Sequence, residues 1–295
     1  MKKRAPSNKP PSIFKLFFRE LKHDYFGLIG LVLLIALLLA IFIGAPIINS
    51  RYDVMWVSPR PLPVSPEDSG TVLGLDEMGR NQFHLLFVSA RNSLYISLGI
   101  TFFSYLLGIT VGSLSGFYGG RVDNIVMRVT DTWSMIPFLM VVIVLLTVFS
   151  RSVANFIFFL TLFTWLGRAR LIRAASLAQR QLDYISASKT LGTPNLMIIA
   201  REMLPNLVDV AVANFVITLA ASIGIETGLS LLGFGLGWDY PSLGTMMQNA
   251  INPMYLRHFW WVWAPALTLV VVLMLCVNFV GNALQRVADP KQRFA

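Results

Sequence analysis

The chain has 295 residues, of which 55% are hydrophobic and only 13% charged, and its mean hydropathy is +0.65. An average soluble domain carries about 25% charged residues, so disorder and a pair of ordinary soluble domains are excluded, and a single cysteine, Cys276, excludes a disulfide scaffold. The net charge of +9, from 24 Lys and Arg against 15 Asp and Glu, falls between apolar runs and reads as membrane orientation, with no nucleic-acid partner.

In chain order, a basic segment at 1–26 opens the sequence, with an amphipathic stretch at 12–26. The 22-residue charge-free run from Gly27 to Ile48 is too long for the core of a cleavable signal peptide and reads as a membrane span. Six spans are expected within 27–285, at about 27–48, 93–118, 132–150, 152–170, 206–226 and 259–285. The fourth is short unless Arg168 and Arg170 snorkel at its end, and the fifth needs Asp209 within its first turn. Between the spans lie loops at 50–92, 183–205 and 227–257, and a tail at 286–295 closes the chain.

Charge sets the expected orientation. With both termini in the cytosol, 18 of the 24 basic residues lie inside, and Arg51, Arg60, Arg80, Arg91, Arg151 and Arg257 lie outside. The outer loop 50–92 starts rich in proline and ends in a turn with Gly74 and Gly79. Phe83, Leu86, Phe87 and Ala90 then recur at helical spacing, which predicts an amphipathic helix leading into the second span. The loop 227–257 is glycine-rich and apolar but too broken to span. Such backbone is tolerated at depth only against protein or a water-filled cavity, so it is a candidate mouth of a pathway or a cap on the bundle. Glu226, Ser230, Gly233 and Gly235 are its candidate gate residues, with a capping or interface ion pair as the plainer role of Glu226. Trp56, Trp238, Trp260, Trp261 and Trp263 fit an interfacial belt or a vestibule, and Met246, Met247 and Met254 fit core packing or adaptable contacts. Gly108, Gly112 and Gly116, four apart, allow close helix packing against either this subunit or a second one.

The inner loop 183–205 carries the most pattern. Tyr184, Ala187, Ser188 and Leu191 share one helical face, and Leu196, Ile199, Ala200 and Met203 another. Gly192 separates the two short helices, Pro194 suits the first turn of the second, and Pro205 ends it before the fifth span. A helix pair of this kind can seat in a partner's groove and transmit a rigid-body push, or lie as an ordinary amphipathic loop on the membrane surface.

These residues resemble the EAA loop of ABC-importer permeases, with Ser186-Ala187-Ser188 where relatives carry Glu-Ala-Ala, then Gly192 and Leu204-Pro205-Asn206. Leu73 to Asp76 with Gly79-Arg80, the run Ala90 to Leu94, Gly116 to Gly120 with Asp123, Glu226 to Gly235, and Asp289-Pro290 are similar to motifs of the oligopeptide/dipeptide subfamily, C-type subunit. Asn81 stands where relatives often have Asp.

The resemblance implies an all-α polytopic membrane protein of type I ABC-importer permease architecture. Its six transmembrane helices carry a cytosolic helix-turn-helix coupling loop, in the plasma membrane of a bacterium or archaeon. It implies uptake of oligopeptides, with a second permease, two cytosolic ATPases and an extracytoplasmic peptide-binding protein as partners, all within membrane lipid. Asp183, Tyr184, Ser186, Ala187, Ser188, Leu191, Gly192, Leu196, Ile199 and Pro205 would then dock into the ATPase. ATP and magnesium would sit on the partner ATPases, with no cofactor, metal or catalytic residue on this chain. Peptide length stays open, as does the choice among a dipeptide, an oligopeptide, nickel and glutathione as substrate.

The residues agree by omission. No G-x-x-x-x-G-K-[ST] phosphate loop occurs, so energy must come from another chain or from an ion gradient. The second reading is a stand-alone ion-coupled carrier or channel. It is disfavoured because the charges lie near span ends, with Arg128 and Asp131 spaced to pair. The third is an intramembrane protease, but Gly112-Ser-Leu-Ser115-Gly116 is off the register of a serine elbow.

Overall fold

The first helix, α1 (Tyr25–Arg51), is apolar around its whole circumference and leaves Ile29, Val32, Leu39 and Ile43 exposed, a surface suited to lipid and not to water. The computed structural model describes residues 24–51 and 62–288; the basic tail, most of the 12–26 stretch, Trp56 and the 289–295 end lie outside the described residues. Within them the fold is all-α, with two isolated β-bridges at Val64–Leu75 and Leu75–Asn81.

After a single turn, α2 (Pro66–Ser69), comes α3 (Gln82–Tyr118), 37 residues and about 55 Å long. The amphipathic helix expected at 83–90 and the span expected from 93 are one helix here. Neither glycine nor proline occurs between Gln82 and Leu98 to break them. Asn81 caps it, its Oδ1 accepting from the N–H of Phe83 at 3.0 Å and of His84 at 3.4 Å. Asparagine caps as well as aspartate, so this position tolerates the exchange.

The span expected at 132–150 is instead two helices, α4 (Gly120–Ser134) and α5 (Phe138–Val148), bent by 74°. Pro137 causes the break, since it lacks an N–H and disfavours helical backbone at Ile136. Next, α6 (Val153–Arg180) runs ten residues past the expected end at 170. Arg170 bonds Asp131 at 3.0 Å and Ser134 at 2.7 Å, and Arg173 makes a two-pronged pair with Asp123, so α6 is pinned to α4. Asp131 therefore pairs across to α6 rather than with Arg128 on its own helix.

A short helix, α7 (Asp183–Thr190), precedes α8 (Asn195–Ile198), which passes through a π turn at Ile199–Met203 into α9 (Leu204–Leu231). The stop expected at Pro205 does not occur. The proline ring crowds the carbonyl four residues back, and the wider π turn, where the Leu204 N–H bonds the Ile199 carbonyl, absorbs it. Three short turns follow: α10 (Leu243–Met247), a 3-10 turn (Gln248–Ile251) and α11 (Pro253–His258). The long α12 (Trp260–Ala288) closes the fold, and its Arg286 pairs with Asp24 just before α1. Among the described residues five stretches are long and apolar enough to cross a membrane, six if the bent α4–α5 pair counts as one.

The glycines of α3 settle which surface they serve. A Cβ on Gly108 would lie 2.6 Å from Arg168 Cβ, on Gly112 2.5 Å from the Ala169 carbonyl oxygen, and on Gly116 2.5 Å from Ser176 Cβ. The ladder thus packs backbone on backbone against α6 of the same chain. Hydroxyl bonds add to the frame, Ser104 to Thr164 between α3 and α6 and Thr101 to Ser222 at 2.9 Å between α3 and α9. Gly112→Val is expected to push α3 and α6 apart at a cost of about 1–3 kcal/mol, read as a lower thermal midpoint of the detergent-purified protein. An unchanged midpoint would contradict this packing.

Candidate functional site

Two ends of the helical frame carry the residues singled out from the sequence. At one end, Tyr184 to Pro205 wraps the ends of α6 and α9. Ile185, Ile198, Ile199, Met203 and Leu207 are buried with Phe117 and Ile172 beneath the loop. Polar ties hold it as well. Ser188 donates to Glu202 at 2.6 Å, the Tyr184 hydroxyl to Gln179 at 2.6 Å, and Asn206 to Tyr184 at 3.2 Å. The Lys189 ammonium stands 4.6 Å above the Phe117 ring.

Gly192 makes the bend. Its φ of +78° is left-handed. The Thr193 N–H reaches the Ser188 carbonyl at 3.1 Å and the Gly192 N–H reaches Lys189 at 3.0 Å, the two bonds of a Schellman stop. A Cβ there would meet nothing within 4 Å. The bend leaves an apolar tip in the open, with Leu191 85% and Leu196 64% exposed and Met197 beside them. Asp183, Ser186, Ala187 and Pro205 are exposed too.

The second face expected from spacing is thereby split. Leu196 and Ala200 point outward while Ile199 and Met203 are buried, because the π turn shifts the register between them. The second short helix is also not separate, since it continues into α9.

At the opposite end, the segment after α9 folds back into the bundle. Leu243 and Met246 of α10 are buried among Leu85, Leu94, Ile223, Ala266 and Leu273. Met246 and Met247 are therefore core, and Met254 is exposed. Glu226 is fully buried and Ser230 nearly so; the Ser230 hydroxyl donates to Glu226 Oε1 at 2.9 Å, and Thr227 approaches Oε2 at 3.4 Å. No ion pair with Glu226 occurs among the described residues; the hydroxyls of Ser230 and Thr227 face it.

Ser230 itself is wedged between Gly235 and Gly244, whose added Cβ atoms would each fall 2.5 Å from it. Gly233, with φ +89°, turns the chain back. Ser93 accepts from the Leu243 N–H at 3.0 Å, and Asn92 donates to the Pro241 carbonyl at 2.8 Å, so α3 holds the same loop. Glu226, Ser230 and Gly235 are thus buried at the joint between α9 and the returning segment, and Gly233 makes its turn.

A second turn meets this segment from 74–81. Asp76 Oδ1 accepts the N–H groups of Met78 at 3.0 Å and Arg80 at 2.7 Å, and Oδ2 pairs with Arg80 Nε at 2.7 Å, both side chains being buried. The Arg80 guanidinium lies 4.2 Å over the Trp238 ring. Glu77 projects from this turn to accept the Tyr255 hydroxyl. Burial, then the neighbouring Glu77 carboxylate, pushes the Tyr255 phenol up to about 12, so it keeps the proton it donates.

With both ends described, the comparisons with known proteins become informative. Residues 108–294 match the family described as binding-protein-dependent transport system inner membrane component. The chain is also 38% identical to the oligopeptide transport system permease protein OppC of Lactococcus lactis subsp. cremoris (strain SK11), over 92% of this chain and 93% of that one. The chain belongs to the family of inner membrane components of binding-protein-dependent transport systems. The dipeptide transport system permease protein DppC of Bacillus subtilis (strain 168) is 31% identical over 98% of this inner membrane component and 90% of its own length. In fold, the component resembles a chain of the inward-facing MetNI methionine ABC transporter, with a TM-score of 0.54 and 21% identity over 70% of this chain and 97% of that one.

One residue in the inner membrane component was misread from sequence. Arg168, expected to snorkel at a span end, sits midway along α6 beside Tyr105 and against Gly108, with its Nε enclosed and without an acceptor. It is the exception to the rule that charges keep to span ends. Only the true length of α6 reveals it, and the apolar run stopping at Gly167 hid that length.

Gly192→Val is expected to cost about 1–2 kcal/mol, because a β-branched residue is forced into left-handed backbone without any clash. Hydrogen exchange at 183–195 then accelerates about tenfold while the spans keep their protection. Unchanged exchange in the loop would contradict the strained bend.

Proposed function

We propose that this chain is one permease of an ATP-driven importer for oligopeptides, forming half of the pathway with a second permease. Two cytosolic ATPases drive it, and an extracytoplasmic binding protein delivers the peptide. The termini and the 183–205 loop then face the cytosol, as the excess of basic residues on that side supports. The relatives named as oligopeptide and dipeptide permeases support the substrate class. The chain performs no chemistry itself.

The observation that carries the reading is the apolar tip of Leu191, Leu196 and Met197, held out by a buried base. A soluble loop gains nothing from such a tip, whereas a groove on a partner buries it. Each leucine is worth about 1.5–3 kcal/mol when covered. The tip rides on the ends of α6 and α9, so movement of a docked ATPase turns the frame as a body. The motor must fit one arrangement of the permeases better than the other for this to shift their equilibrium. At the other end, the joint at Glu226 closes the pathway mouth or moves with it. No observation on the described residues favours the stand-alone carrier or the protease.

The test is reconstitution of both permeases, the ATPases and the binding protein in proteoliposomes. With Leu191→Asp and Leu196→Asp together, ATP-driven peptide uptake is expected to fall more than tenfold, with membrane insertion intact. Binding-protein-stimulated ATP hydrolysis is expected to disappear. Normal uptake in the double variant would remove the coupling role.

A further inference from the structure

At the end opposite the coupling loop, a cavity of about 490 Å³ opens between the 74–81 turn and the returning segment. It is lined by Glu77, Trp238, Gln248, Asn249, Asn252 and Tyr255, with Ile251 as the one aliphatic side chain. This set differs from the apolar cavity of about 640 Å³ lined by Phe103, Leu106, Ile157 and Phe158. Three amide side chains, one carboxylate and two polar aromatics converge here.

Two of these groups, Glu77 and Asn252, keep a spare hydrogen-bonding position. Tyr255 donates to Glu77 Oε2, and Oε1 has no hydrogen-bond partner among the described residues. Asn252 spends its Oδ1 on the Met254 N–H at 2.9 Å, so its amide N–H groups are free to donate to a carbonyl. Trp238 lines the cavity and has one face under the Arg80 guanidinium. The carboxylate is carried on a turn locked by the buried Asp76–Arg80 pair, so it does not have to be ordered on binding.

We propose that this cavity is a transit subsite for the amino-terminal end of a peptide: Glu77 Oε1 takes the terminal ammonium, the Gln248, Asn249 and Asn252 amides pair with the first peptide groups, and Trp238 packs against a side chain. The proposal rests on the reading of the chain as a peptide importer. An ammonium–carboxylate bond is charge-assisted and stronger than a neutral hydrogen bond, so it discriminates a free amino terminus from an acylated one. The cavity is large enough for two or three residues, and it leaves the rest of the peptide outside, which suits substrates of varied length.

The experiment uses the complete permease–ATPase complex in nanodiscs, without binding protein. Equilibrium dialysis measures binding of radiolabelled trileucine and of N-acetyl-trileucine. Trileucine is expected to bind about tenfold more tightly than its acetylated form, and Glu77→Gln is expected to erase that ratio while leaving the acetylated peptide unchanged. Asn249→Ala is expected to weaken both peptides equally. Affinity of the complex for the peptide-loaded binding protein is measured in parallel and is expected to be unchanged in Glu77→Gln. Equal binding of the two peptides by the unaltered complex, or a ratio that survives Glu77→Gln, overturns the subsite. So does loss of binding-protein affinity with peptide binding intact, which would make the cavity a docking point for that protein. ATP-driven trileucine uptake by the unaltered complex with its binding protein separates the two readings. Uptake without the amino-terminal ratio defeats the subsite alone, and no uptake defeats the importer reading.

Discussion

The arrangement depends on how closely α3 and α6 approach. Three glycines spaced one turn apart let the two backbones touch along a shared length, where any side chain would collide with Arg168, Ala169 or Ser176. In an apolar surrounding there is little hydrophobic gain from bringing helices together, so tight packing and hydrogen bonds must supply the attraction. The Ser104–Thr164 bond lies along that seam, Thr101–Ser222 ties α3 to α9, and the Arg173–Asp123 pair ties α6 to α4. The result is a stiff frame of α3, α6 and α9.

That stiffness connects the two ends. The 183–205 loop stands on Ile172 of α6, Phe117 of α3 and Leu207 of α9, so each rod has a residue beneath it. At the far end the same α3 and α9 grip the returning segment through Asn92, Ser93, Glu226 and Ser230. A push at the tip therefore has a continuous packed route to the joint. Glu226 matters here because the hydroxyls that face it come from its own helix (Thr227 and Ser230), from Ser93 of α3 and from the turn that begins at Ser242. Any separation of α9 from that turn breaks bonds made by a buried carboxyl, which favours two discrete arrangements over gradual yielding.

Much of this was legible from residue order. Long charge-free runs located the span-forming stretches, since apolar length is what a bilayer demands. Gly192 and its flanking helices were readable because a left-handed stop requires glycine and the apolar spacing on either side has a helical period. What failed did so for identifiable reasons. Pro137 inside an uncharged run does not lower its hydropathy, so the break between α4 and α5 was invisible to a count of apolar residues. Pro205 was read as a stop because sequence gives no sign of a π turn that accommodates it. Arg168 looks like a span end because the charge-free run stops at Gly167, and the partners that let α6 continue, Asp131 for Arg170 and Asp123 for Arg173, lie about 40 and 50 residues away. The 74–81 turn was recognised, but its meeting with Trp238 and Tyr255 is a tertiary event with no local signature.

The central claim is that the exposed apolar tip is the point where force enters the permease. Single cysteines at Leu191 or Leu196, with the buried Cys276 replaced by alanine, provide the direct measurement. The account predicts that a short bifunctional reagent joins each of them to an ATPase subunit in the assembled complex, with a yield that changes between the ATP-bound and nucleotide-free states. A tip that cross-links only within its own chain, or to lipid, in both states would contradict it.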